Sequence, residues 1–223
     1  MKLGVAFAWH HLAWPDLLAA VQKAEALGFH AAFVDGDVSQ LPSRGDHDIL
    51  DGWTATAALL AKTQRIEIGS IRLVYQWNAA RLAQAVATME RIEPGRLRFM
   101  ISIGGQASDR RFGYPRLGAG ERIHWLEETL EVARRLWSGE RVDFDGHYVT
   151  ASGAQVRPTP ASGRIPIQIA ARGRRLLEVV AKYADRWDIN LPPVPERVAE
   201  AATHLERACE RAGRDAEAIE RSM

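Results

Sequence analysis

Apolar residues along this chain fall into two alternating patterns, short continuous runs and longer stretches with apolar positions three or four apart. The first pattern marks buried strands and the second marks helices with one inward face. Residues 3–9 read as a strand. Trp14-Pro15-Asp16 then opens a helix with proline in its first turn and Leu17, Leu18, Val21, Ala24 and Leu27 on one face, stopped by Gly28. Residues 31–34 form the second run, followed by a polar loop over 35–48 and a helix over 50–62 with Trp53, Ala57 and Leu60 inward. A third strand spans 66–74, and its helix carries Leu82, Ala85, Met89 and Ile92 until Glu93-Pro94-Gly95 breaks it.

The fourth strand, 97–103, leads into a long excursion. The excursion contains a helical stripe of Ile123, Leu126, Leu130, Ala133 and Trp137 and a hairpin around Asp145-Gly146. The alternation then resumes with a strand at 165–170, a helix at 176–183 and a strand at 187–190. A last helix has Val198, Leu205, Ala208 and Ala212 inward, and residues 219–223 begin a seventh strand. Repeated βα units of this kind predict a parallel sheet with helices packed on it. Eight units close a TIM-type β/α barrel of about 250 residues. Six to seven are counted here, so the expectation is an incomplete α/β barrel, one domain over 1–223 with an insertion region at 105–163. An open doubly wound sheet is disfavoured, because the first βα turn, His10 to Pro15, lacks the glycines that let a pyrophosphate approach a helix start.

Composition narrows the function classes. Hydrophobic residues make up 47% of the chain and charged residues 26%, ordinary globular values, and the formal net charge is +1. No summed field draws such a chain onto nucleic acid or an anionic membrane, and no apolar run reaches the length of a membrane span. Cys209 is the single cysteine, which excludes a disulfide framework and a multi-cysteine zinc site and fits the cytoplasm.

In a parallel barrel the reactive groups sit at the carboxyl ends of the strands. Those positions are Trp9-His10-His11, Asp35-Gly36-Asp37, residues 70–77, residues 102–106, residues 170–174 and Asn190. His10 and His11 are neighbours on a strand and point to opposite faces, so they do not converge on a metal ion. No nucleophile elbow or P-loop is present. Gly104-Gly105-Gln106 lets backbone approach a ligand. Ala171-Arg172-Gly173-Arg174 leads into a helix, where free N–H groups and guanidinium donors suit a phosphate.

Several blocks resemble one family. Leu50-Asp51-Gly52-Trp53-Thr54, Arg65-Ile66-Glu67-Ile68-Gly69-Ser70, Pro94-Gly95-Arg96-Leu97, Phe112-Gly113, Ile165-Pro166-Ile167, Tyr183-Ala184-Asp185-Arg186-Trp187-Asp188-Ile189-Asn190 and Ala212-Gly213-Arg214-Asp215 are similar, in order, to those of the bacterial-luciferase-like flavin and deazaflavin oxidoreductases. The resemblance implies a β/α barrel holding deazaflavin coenzyme F420 or FMN, used for hydride transfer or oxygen activation on a small organic substrate. It implies a ring near Trp9, Ser70, Ile71, Arg72, Gly104, Gly105 and Gln106, and a phosphate on Ala171, Arg172, Gly173 and Arg174. A non-proline cis peptide near Ile71-Arg72 is also implied. Relatives carry an Asp-His pair where Gly36-Asp37 stand and some carry a glutamate near Ala107, so His10, His11 and Asp37 are the candidates for acid–base work in their place. Trp53 and Trp77 are candidate walls for an aromatic ligand, and Arg110, Arg111 and Arg116 candidate contacts for an acidic tail. The open side of an unfinished barrel implies a homodimer or higher homo-oligomer. Two alternatives to an enzyme remain: a flavin-binding protein without turnover, and a partner subunit of a longer related chain.

Overall fold

A computed structural model describes residues 2–7, 12–34, 36, 49–105 and 112–223. Seven strands make one sheet: β1 (Gly4–Phe7), β2 (Ala31–Val34), β3 (Glu67–Leu73), β4 (Leu97–Ser102), β7 (Ile167–Ala171), β8 (Arg186–Ile189) and β9 (Glu220–Ser222), in that spatial order. Every adjacent pair is parallel. Strand order therefore follows chain order, and right-handed crossovers put all connecting helices on one side. The result is a curled half-barrel. The predicted seventh strand is present, pairing Arg186 with Glu220 and Asp188 with Ser222.

The helices are α1 (Trp14–Ala26), α2 (Gly52–Lys62), α3 (Ala79–Ile92), α4 (Ala119–Trp137), α5 (Arg174–Tyr183) and α6 (Pro195–Arg211). The antiparallel hairpin β5 (Val142–Asp145) and β6 (Thr150–Ala154) stands apart from the main sheet. Three inward assignments are corrected. Leu27 is exposed because α1 ends at Ala26 and Leu27 is its C-cap, Ala212 is exposed as the C-cap of α6, and Ile92 is exposed on the final turn of α3. In α2 the buried face is Thr56, Leu59 and Leu60, while Ala57 is only part-buried. Among the described residues no helix is long and apolar enough to cross a membrane.

The blocks shared with the family are largely joints. Asp51 caps α2, accepting from Thr54 N–H at 2.7 Å. Gly95 takes φ +77° to turn the chain into β4, and Arg96 donates to the Leu60 carbonyl at 2.6 Å, satisfying the end of α2. Asp185 accepts from Ile167 N–H at 2.8 Å, tying the start of β7 to the loop before β8. Gly213, at φ +63°, follows α6 and lets Arg214 N–H reach the Cys209 carbonyl at 2.9 Å.

Strand alternation sorts the sheet into two faces. Ile68, Phe99, Ile101, Ile169 and Trp187 are all at most 1% exposed beneath the helices, and Phe99 meets Trp137 of α4 edge-on at 5.7 Å. The concave face is different. One row of paired residues crosses it as Ile71, Met100, Gln168, Arg186 and Glu220. The next row towards the strands' carboxyl ends pairs Leu73 with Ser102, and Ala170 with Asp188 and Ser222.

Candidate functional site

The carboxyl ends of the strands form a mouth. His10, His11, Asp37, Trp9, Gln106, Arg110 and Arg111 lie outside the described residues. Gly36 sits against β3, so closely that a Cβ there would fall 1.8 Å from the Ile71 carbonyl oxygen. Only glycine allows this contact between the ends of β2 and β3.

On β3 the structure separates three neighbours predicted to act together. Ile71 faces the concave side and is part-buried. Ser70 and Arg72 face α2 and are each 2% exposed. Ser70 shares a hydrogen bond with Thr56 at 2.8 Å and donates to the Gly52 carbonyl at 3.2 Å. Arg72 donates to Ser70, and its guanidinium lies over the Trp53 ring at 4.8 Å. Trp53 in turn packs on Trp77 with centroids 5.7 Å apart. These groups brace the strand from behind. The cis bond implied near Ile71-Arg72 is not found: among the described residues the cis peptide is Arg157-Pro158, and β3 pairs with β4 in continuous register from Ile68 to Leu73.

Gly104 and Gly105 follow β4. Gly104 has φ +62°, and a Cβ there would meet the Tyr75 hydroxyl at 2.8 Å, so this turn needs glycine. Among the described residues, nothing lies within 4 Å of a Cβ placed on Gly105. Ser102 Oγ donates to the Ala170 carbonyl at 2.9 Å, fixing the ends of β4 and β7 together. Trp187 Nε1 donates to the Ala171 carbonyl at 3.0 Å and holds that strand end from the helix side.

Ala171, Arg172, Gly173 and Arg174 are brought together as the β7–α5 turn. Gly173 caps α5 without a side-chain hydrogen bond, and the first turn contains no acidic residue. The first intrahelical bond is Leu177 N–H to the Gly173 carbonyl, 3.0 Å, so the N–H groups of Arg174, Arg175 and Leu176 precede it. Arg172, Arg174 and Arg175 are exposed. Arg174 Nε lies 3.0 Å from His204 Nε2 of α6, and Arg175 reaches the start of α4 near Gly120. Free donors, helix dipole and guanidinium groups suit an anion at this point, and a Cβ on Gly173 would meet nothing within 4 Å. The donor set thus fits a phosphate-bearing cofactor.

Sequence reasoning missed the polar lining of the concave face. Arg98 pairs with Glu67, lies 3.4 Å from Glu220, and donates to Gln168 at 3.3 Å. Arg186 donates to Glu220 at 3.1 Å. Burial works to raise the Glu220 pKa, but the Arg186 and Arg98 guanidinium groups outweigh it and hold the carboxyl below its ordinary value. Asp188 differs. Burial raises its pKa, opposed only by the hydrogen bond from Ser222 Oγ at 3.3 Å. The available signal was the alternation Arg186-Trp187-Asp188, which puts both charged residues opposite a tryptophan that must be inside. Among the described residues no group of three His, Cys, Asp or Glu side chains is placed to hold a metal ion.

The parallel sheet and its helices place the protein in the β/α-barrel class. The family model for luciferase-like monooxygenases matches residues 1–223, and the chain belongs to that family. It is 35% identical over 193 residues to the F420-dependent glucose-6-phosphate dehydrogenase of Mycolicibacterium fortuitum, covering 83% of this chain and 55% of that protein. The corresponding enzyme of Nocardia farcinica is 35% identical over 178 residues, covering 77% and 50%. The chain therefore spans about half the length of these curated relatives. Among solved structures, an F420-dependent secondary alcohol dehydrogenase in complex with an F420-acetone adduct superposes with a TM-score of 0.87 at 22% identity, over 99% of this chain and 68% of the other. A riboflavin lyase with modified FMN and riboflavin gives 0.86 at 16% identity, over 99% and 61%. These two likenesses establish the fold.

Proposed function

We propose that this chain is the cofactor-holding part of an oxidoreductase that binds F420 or FMN in the mouth of the half-barrel. The observation that carries the reading is the β7–α5 turn, where the N–H groups of Arg174, Arg175 and Leu176 precede the first intrahelical bond beside Gly173, with Arg172 and Arg174 exposed and Arg174 Nε 3.0 Å from His204 Nε2. The phosphate belongs there. The ring lies against Ile71, Gly104 and Gly105, where the backbone is open or concave, while Ser70 and Arg72 hold Ile71 from behind. Trp9, Gln106, His10, His11 and Asp37 remain proposed contacts of the same mouth. When bound, the cofactor accepts or donates a hydride, and the protein supplies position, charge and exclusion of water.

F420 is favoured over FMN by the sequence relatives, whose name also gives the substrate class tested first, a phosphorylated sugar with an oxidisable hydroxyl. The buried Cys209 thiol, its pKa raised by burial, supports a reducing compartment such as the cytoplasm. The test is equilibrium titration with F420 and with FMN, read by fluorescence, on the natural chain and on an Arg172→Ala, Arg174→Ala double variant. Binding weakened at least tenfold by the double substitution supports the reading. Equal binding refutes the phosphate site, and binding without any reduction of F420 by glucose 6-phosphate favours a non-catalytic carrier.

A further inference from the structure

Among the described strand residues of the main sheet, three carboxylates project into the concave side: Glu67, Asp188 and Glu220. Glu67 and Glu220 are neutralised by Arg98 and Arg186. Among the described residues Asp188 has no cationic partner, and it stands one row nearer the mouth, in register with Ala170 and Ser222. Its Oδ1 takes a hydrogen bond from Ser222 Oγ at 3.3 Å, and the Ser222 hydroxyl is reached in turn by Gln168 Nε2 at 3.2 Å. The neighbouring strands thus present neutral groups to Asp188 from β7 and β9, and the charged Arg186 and Glu220 below it are engaged with each other. A carboxyl group held at a ligand-facing position without a counter-cation is suited to exchanging a proton rather than to fixing structure.

We propose that Asp188 is the proton acceptor of this site, taking the hydroxyl proton of a substrate alcohol as the carbinol hydride passes to the bound deazaflavin. The proposal rests on the oxidoreductase reading above. In the step the C–H electron pair leaves as hydride to the deazaflavin, the O–H bond breaks, a carbonyl forms, and the Asp188 carboxylate becomes the carboxylic acid. Ser222 and Gln168 hold the carboxyl in one orientation, and solvent takes the proton after product leaves. Burial makes Asp188 a better base than an ordinary carboxylate, which is the direction proton abstraction from a hydroxyl requires.

The test combines an NMR titration of the Asp188 side-chain carboxyl, identified by its loss in Asp188→Asn, with steady-state reduction of F420 by glucose 6-phosphate across pH. The expected results are a midpoint above the ordinary 3.8, a rate that falls as pH drops through that midpoint, and a loss of roughly 10²-fold or more in kcat for D188N. F420 affinity is expected to stay within threefold in that variant. Turnover by D188N within threefold of the natural chain overturns the proposal, as does an ordinary midpoint. If F420 binds but glucose 6-phosphate is not oxidised, the sugar must still shift the Asp188 midpoint, and an unshifted midpoint is equally fatal. Absence of F420 binding by the natural chain marks failure of the oxidoreductase reading instead, and the proposal falls with it.

Discussion

Replacing Glu128 with alanine unties the hairpin of β5 and β6 from α4. The Glu128 carboxylate accepts three backbone N–H groups, from His147, Tyr148 and Val149, each at 2.8 Å. His147 is exposed and Tyr148 part-buried, so water reaches two of these donors once the carboxylate is gone, while Val149 is buried and its donor is left without a partner. Assigning about 1 kcal/mol to each of the accessible donors and 1–2 kcal/mol to the buried one gives a loss of about 3–4 kcal/mol in the free energy of opening the hairpin. Hydrogen exchange of the amides of 147–149 is therefore expected to accelerate by at least about 10²-fold in Glu128→Ala, with α6 unchanged. The carboxyl has a pH signature too. Burial raises its pKa, but the three backbone donors outweigh this and lower it below 4.5. Its contribution is thus present above pH 4.5 and lost as pH falls through the lower folded value, and the variant lacks that dependence. Exchange at 147–149 within threefold of the natural chain would refute the reasoning.

Gly36→Ala is expected to cost more than about 3 kcal/mol in urea denaturation, since a Cβ 1.8 Å from the Ile71 carbonyl oxygen forces β2 and β3 apart, whereas Gly105→Ala, with nothing within 4 Å, is expected to stay within about 0.5 kcal/mol. Equal stability of the two variants would show the strand ends to be looser than described. Arg98→Met leaves Glu67 and Glu220 facing each other across the concave side without their shared guanidinium, and a loss of about 2–3 kcal/mol is expected by the same measurement. A change under 0.5 kcal/mol would mean that water already screens this cluster. Asp188→Asn tests linkage. Because burial raises the Asp188 pKa, the folded state binds more protons than the unfolded one, so this residue's stability contribution is present below pH 3.8 and declines as pH rises through the folded value. D188N is expected to remove that decline and to gain stability relative to the natural chain at neutral pH. A parallel pH profile for the two proteins would contradict the raised value.

The order of elements was legible because buried strands and amphipathic helices carry different periods, and the short joints around Gly95, Asp51 and Gly213 are set by capping and φ requirements that single residues reveal. The β7–α5 turn was legible for the same reason. The facing of β3 was not, because its helix-side residues are Ile68, Ser70 and Arg72 while its concave residues include Gly69, Ile71 and Leu73, the reverse of the apolar-inside rule. Ser70 and Arg72 are accommodated only because Thr56, the Gly52 carbonyl and the Trp53 ring from α2 satisfy them, a long-range arrangement that spacing along one strand does not encode. The charged concave row was hidden likewise. Arg98, Gln168 and Glu220 stand far apart in sequence and converge only when β4, β7 and β9 curl round one axis. Leu27, Ala212 and Ile92 were misplaced because helical periodicity continues on paper to or past the point where the backbone ends the helix.

A structure of the chain crystallised with F420 tests the central claim most directly. The expected result is a cofactor phosphate within hydrogen-bonding distance of the Arg174 and Arg175 amides beside Gly173, with the ring across the ends of β3 and β4 and its edge towards Asp188. Density for F420 outside the mouth, or a β7–α5 turn that stays empty at saturating cofactor, would contradict it.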